Sequence, residues 1–218
     1  VFDTLIQEKL SAKEGQTDHE HIYQEYESTI YALTAAINTK DHYTFQHSKN
    51  VAYYATELAK ALNLNSDVIE IVRQAALLHD IGKIGIPESI LNKPGRLTDD
   101  EYDVIKGHVE ASIGIIRHLP SLDYVIPAVI GHHERYDGKG YPRRIAGENI
   151  PLTARILCVA DSFDAMTSKR CYKDGIPVER VLKILREEEG RQFDPKLARV
   201  FEELVENGTI RVVKESVA

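Results

Sequence analysis

The chain has 218 residues, 43% of them hydrophobic, enough for one well-buried domain with an added helical segment. Its formal charge of −7 is the opposite of the basic surface carried by general DNA or RNA binders, so no nucleic-acid polymer is expected as a partner. No apolar run approaches the ~20 residues of a membrane span and no signal peptide opens the chain, so a cytoplasmic protein without membrane contact in this segment is expected. Cys158 and Cys171 form no paired or CxxC arrangement and read as incidental thiols of a reduced protein. A start at Val1 rather than methionine is expected of a piece of a longer protein, with any sensor or regulatory module upstream.

Helical periodicity dominates the pattern. The first 18 residues are polar and read as a linker. Ile22, Tyr26, Ile30, Leu33 and Ile37 step at threes and fours, predicting an amphipathic helix across about residues 19 to 40. That stripe is expected to pack on the domain; pairing with its copy in a homodimer and relay of an upstream signal are the alternatives. A second helix carries Val51, Ala55, Leu58, Ala59 and Leu62. Ser66 can cap a third, whose apolar face runs from Ile69 to Leu77 and which delivers His79 and Asp80 at its end. Thr98-Asp99-Asp100-Glu101 has capping-box spacing and starts a helix expected to present His108. The Ile176-Pro177 and Asp194-Pro195 steps read as starts of the last two helices. Period-two alternation is confined to the short tail from Thr209 to Val213. Ile84 to Arg96 and Glu134 to Pro151, rich in proline and glycine, are expected loops, each following a histidine. The expected fold is all-α.

His79 and Asp80 stand side by side where an apolar helix gives way to Gly82. Neighbouring side chains on a helix diverge by ~100°, so the pair cannot chelate compactly through one face. It can close one metal site while its carboxylate reaches into a second, an arrangement suited to hydrolysing phosphate esters. Of nine histidines, His47, His79, His108, His132 and His133 sit at points with helical context and acidic company. With Asp80 and Asp161 they make seven nitrogen or oxygen donors, more than one tetrahedral zinc needs. Imidazole and carboxylate without thiolate favour iron, manganese, zinc or cobalt. Asp161 ends the apolar run Leu157-Cys158-Val159-Ala160, where an unpaired buried charge would be costly. His19, His21, His42 and His118 are read as ordinary packing or surface histidines.

The ordered runs Gln46-His47-Ser48, His79-Asp80-Ile81-Gly82-Lys83, Leu91-Asn92-Lys93-Pro94-Gly95 and His132-His133-Glu134-Arg135-Tyr136-Asp137-Gly138-Lys139-Gly140-Tyr141-Pro142 resemble the HD-GYP subgroup of the HD-domain metal-dependent phosphohydrolases. The likeness continues through Ala154-Arg155-Ile156, Asp161, Asp164, Arg170 and Tyr172. It implies an HD-domain-like helical bundle over residues 39–206 with a binuclear metal centre in its core. Residues 1–38 would be an N-terminal linker and helix, and 207–218 a C-terminal tail. It implies cleavage of cyclic di-GMP to pGpG and/or GMP at two divalent ions. Iron or manganese is expected, and zinc, cobalt and nickel are the other ions such donors accept. On the resemblance His47, His79, Asp80 and Asp161 would hold one ion, and Asp80, His108, His132 and His133 the other. A water bridging the ions would be the nucleophile. Lys83 would meet a phosphate oxygen and offset charge, while Arg170 and Lys173 match positions that bind substrate phosphates. Asp164, one turn beyond Asp161, is a candidate for orienting a ligand or water or for accepting a proton. Tyr141 is a candidate for stacking on a base or meeting a partner protein, against a plain role in anchoring its own loop.

Two departures from the subgroup stand out. Members with a third metal use a glutamate one turn before the first histidine, where this chain has Tyr43, so two ions are expected. Arg144 stands where glycine is usual, and would strain the loop if that position needs φ > 0. Two other readings remain: a catalytically silent module that senses a cyclic dinucleotide or docks on a partner, and a phosphodiesterase for a hybrid 3′,3′-cyclic dinucleotide. The complete donor set weighs against the first.

Overall fold

The computed structural model describes residues 28–35, 42–168 and 175–213, without side-chain detail at 42–44 and 120. Among these residues there is no β-strand, only an isolated bridge between Glu189 and Phe193. The stretch 28–35, here α1, is helical and lies within the N-terminal helix expected from the sequence; Ile22, Tyr26 and Ile37 fall outside the described residues. Ile30 is buried, and the Thr34 hydroxyl donates to the Leu77 carbonyl at 3.1 Å. This short helix therefore docks directly on the helix that leads into the His-Asp pair.

α2 (His42–Ala61) and α3 (Ser66–Leu78) form the central antiparallel pair. The cap of α3 is Asn65, one residue earlier than expected: its side chain accepts from the Val68 amide at 2.9 Å, and Ser66 becomes the first helical residue. A 3₁₀ turn, Ile81–Gly85, and a short helix α4 (Glu88–Leu91) occupy part of the expected first loop. α5 (Asp99–Lys106) begins with the full capping box, Thr98 and Glu101 each bonding the other's backbone. It stops before His108. Gly107 bends the chain, and His108 opens a separate helix, α6 (His108–Ile116). α7 (Ile126–Gly131), α8 (Leu152–Thr167), α9 (Val178–Glu187) and α10 (Pro195–Glu206) complete the bundle. Asp194 caps α10 ahead of Pro195, whereas Pro177 lies just outside α9.

The core between α2, α8 and α10 is aromatic. Tyr54 meets Phe163 edge-on at 5.2 Å, and Phe163 meets Phe201 at 4.9 Å. The alternating tail is not a strand. It lies along α2, where the Tyr53 hydroxyl bonds the Thr209 carbonyl and Arg211 amide and the Tyr54 hydroxyl accepts from the Val213 amide, with Ile210 buried. This packing makes α2, α3, α7 and α8 a rigid frame whose facing ends converge on one place.

Candidate metal centre

Five helices deliver the chemistry. α2 carries His47, the end of α3 carries His79 and Asp80, and α6 opens with His108. His132 caps α7 ahead of His133, and α8 carries Asp161. Gly82 lets α6 approach this closely: a Cβ there would lie 2.0 Å from the His108 carbonyl and 2.4 Å from the Ser112 amide. Ser112 ties the two segments, accepting from the Gly82 amide at 2.8 Å and donating to the His79 carbonyl at 3.0 Å.

The ring nitrogens follow one rule. The Nδ1 atoms of His79, His108 and His132 lie 2.6–2.7 Å from the carbonyls of Ala76, Ile105 and Val129, three residues back. Donation from Nδ1 leaves each Nε2 lone pair pointing inward, and these three Nε2 atoms are buried without a hydrogen-bond partner. Such atoms are costly unless something electropositive sits between them. The donor atoms fall into two groups, His47, His79, Asp80 and His108, His132, His133, each within 4.8 Å of one another. Asp80 divides its carboxylate between them. Its Oδ2 lies 3.4 Å from His79 Nε2 and 3.8 Å from His47 Nε2, and its Oδ1 lies 3.4 Å from His108 Nε2. Asp161 adds an oxygen 3.0 Å from His47 Nε2.

Electrostatics agree with this donor set. Burial pushes the His108, His132 and His133 pKa values down, to about 3 for His133. Burial opposes ionisation of Asp80 and Asp161 as well, but Lys83 and His79 beside Asp80, and His47 beside Asp161, hold both carboxyls well below their usual range. Neutral imidazoles and ionised carboxylates are the forms that coordinate cations. His47 differs. Burial would lower its pKa, yet hydrogen bonds to Asp161 and Asp164 outweigh that and raise it to about 9. The residues therefore fit a pair of divalent cations, with Asp80 positioned between them.

Asp164 is fully buried and has no surface on the cleft. It lies behind His47, accepting from His47 Nδ1 at 2.7 Å and from Asn50 Nδ2 at 2.9 Å, while Gln46 donates to Asn50 at 2.7 Å. Its geometry is that of a ligand-orienting group, not of a catalytic acid or base in contact with substrate. Lys83 reaches back to Asp80 Oδ2 at 2.5 Å and lines the cleft. Arg170 and Lys173 lie outside the described residues, as do Tyr172 and Cys171, and the Tyr43 side chain is likewise not described. Cys158 is buried and unpaired, its thiol pKa pushed up to about 12 chiefly by that burial.

The loop after His133 closes one wall of the cleft, whose volume is about 410 Å³. Tyr141 lies against the His133 ring, centroids 4.7 Å apart at 31°. Gly140 is required for space: a Cβ there would fall 2.3 Å from the Arg135 amide and 2.5 Å from the His133 carbonyl. Arg144 does occupy the left-handed region, at φ 55°. The Arg143 and Arg144 amides both donate to Glu134 Oε1, at 2.6 and 3.1 Å, which helps to hold that conformation. Sequence reasoning missed Asn50, Ser112 and Glu134, and also Tyr102 and Lys139 at the cleft. Only Glu134, adjacent to the histidine pair, had a local signal.

Two groups of imidazole donors with one carboxylate between them, on a helical frame, make a candidate metal centre. The HD-domain family matches residues 31–197, and the chain belongs to that family. It is 41% identical over 170 residues to the cyclic di-GMP phosphodiesterase response regulator RpfG of Xanthomonas campestris pv. campestris, covering 77% of this chain and 45% of that protein. It is 38% identical over 175 residues to 3′3′-cGAMP-specific phosphodiesterase 2 of Vibrio cholerae, covering 78% of this chain and 33% of that protein. The chain thus spans less than half the length of either relative. The fold is also that of the V. cholerae cyclic GMP-AMP-specific phosphodiesterase V-cGAP3, with a TM-score of 0.63 at 21% identity over 83% of this chain and 49% of that one. Among the described residues no helix is long and apolar enough to cross a membrane.

Proposed function

We propose that this domain is a metal-dependent phosphodiesterase that hydrolyses cyclic di-GMP to pGpG and onward to GMP, acting in the cytoplasm with iron or manganese. The observation that carries the reading is Asp80, whose two oxygens face two separate imidazole groups beneath an open cleft. His47, His79 and Asp161 would hold one cation with Asp80, and His108, His132 and His133 the other. Cations bound there supply Lewis acidity toward a phosphate oxygen and lower the pKa of water for attack.

The chain's own groups do the rest. Backbone carbonyls fix the tautomers of His79, His108 and His132, and Asp164 fixes that of His47, so that each Nε2 is aimed before substrate arrives. Lys83 sits within 2.5 Å of Asp80, where its ammonium can turn to a non-bridging phosphate oxygen and stabilise charge as the bond to phosphorus forms. On the family resemblance, Arg170 and Lys173 grip substrate phosphates. Tyr141, packed on His133, forms part of the cleft wall.

A hybrid substrate is the second reading, supported by the likeness to a 3′3′-cGAMP-specific enzyme as well as to a cyclic di-GMP enzyme. Purified protein loaded with iron or manganese under reducing, anaerobic conditions should convert cyclic di-GMP, with pGpG and GMP resolved by chromatography. Faster turnover of 3′,3′-cGAMP would select the hybrid. Tight binding without turnover across several metals would instead make this a sensing module.

A further inference from the structure

A cyclic dinucleotide brings two purine bases as well as phosphates, and the metal cluster accounts only for the phosphates. Apart from histidines, the aromatic side chains lining the cleft among the described residues are Tyr141 and Tyr102. Tyr141 is half-buried with its ring packed on His133, and its hydroxyl is hydrogen-bonded to Tyr102. That ring is committed to holding its own loop.

Tyr102 shares that hydrogen bond but differs in exposure and in its place on a helix. It is 48% exposed although it is a large aromatic, and it stands at the cleft on α5, a helix fixed at its start by the Thr98–Glu101 capping box. The Lys106 ammonium lies 5.2 Å from its ring centroid, and Lys106 is not among the residues that line the cleft. Tyr102 lines the cleft together with Ile105 and the histidines and carboxylates of the metal cluster. A half-exposed aromatic held on a helix at the edge of the proposed phosphate-binding cleft is the arrangement that stacks a nucleobase.

We propose that Tyr102 is the stacking platform for a purine base of the substrate, with Tyr141 as its support. The inference rests on the phosphodiesterase reading and adds to it a base-binding subsite.

The test uses metal-loaded protein and a phosphorothioate-linked cyclic diguanylate in which 2-aminopurine replaces one base, since stacking quenches its fluorescence. Wild type should bind and quench. Tyr102→Phe should keep the quench with affinity within about threefold, and Tyr102→Ala should lose it and bind about 5- to 150-fold more weakly. Tyr102→Leu, which keeps bulk without a π face, should lose the quench too, and metal content should be unchanged in all three variants. Binding and quenching by Tyr102→Ala equal to wild type would overturn the platform alone. Equal loss in Tyr102→Phe and Tyr102→Ala would also overturn it, by assigning the effect to the hydroxyl contact with Tyr141. Failure of wild type to bind or cleave any cyclic dinucleotide would sink the phosphodiesterase reading itself.

Discussion

Asp164→Asn tests whether the metal site is organised from behind. The native carboxylate is fully buried and accepts from His47 Nδ1 at 2.7 Å and from Asn50 Nδ2 at 2.9 Å. Asparagine has the same shape but one acceptor oxygen, so its amide nitrogen must face one of two donors. One charge-assisted bond is lost, worth ~1.5–3 kcal/mol. That matches the ~10- to 100-fold drop in metal affinity typical when the partner of a ligating histidine is removed. Chelator competition should show this drop at the His47 group, with the His108 group retaining its ion. A pH series provides an independent check. In the metal-free protein His47 has its pKa raised from 6.5 to about 9, so its charge stabilises the fold fully below pH 6.5 and ceases to do so as pH rises through 9. Thermal unfolding of metal-free wild type should therefore weaken over that interval more steeply than that of Asp164→Asn, which lacks one of the two carboxylates. Equal pH slopes together with unchanged metal affinity would refute the orienting role.

Gly82→Ala forces a methyl to within 2.0–2.4 Å of α6 backbone atoms, so it should cost ~1–3 kcal/mol in thermal unfolding and release the ion near His108; an unchanged melting temperature and metal content would contradict this. Arg144→Gly should raise stability by roughly 0.5–1 kcal/mol, because glycine takes φ 55° without the penalty of a Cβ. A lower melting temperature would contradict this, since the backbone amide contacts to Glu134 are the same in both proteins. Lys83→Ala should keep its metals by elemental analysis while turnover falls about 100-fold or more; loss of metal instead would place Lys83 in structural support of Asp80.

The parts of the site legible in the sequence were those written locally. The capping box at Thr98 and the arrival of His79 and Asp80 at a helix end follow from spacing within one or two turns. Errors arose where neighbours compete or where distance intervenes. Asn65 and Ser66 are both competent caps, and only the backbone decides between them. Gly107 keeps helical dihedral angles, φ −61° and ψ −16°, so nothing in the periodicity marks the break that turns His108 inward. The Asn50–Asp164–His47 triad joins side chains 114–117 positions apart, and Ser112 meets Gly82 across 30, pairings that exist only after folding. Gly140 is a further such case, invisible in any local pattern. It serves as a gap through which the loop passes the His133 and Arg135 backbone.

Metal stoichiometry of wild type against Asp80→Ala is the most direct measurement. Wild type should bind two divalent ions per chain, and the variant should lose metal and activity together, since one carboxylate serves both imidazole groups. Full metal content and rate in Asp80→Ala, or a single ion in wild type under saturating metal, would contradict a centre built around Asp80.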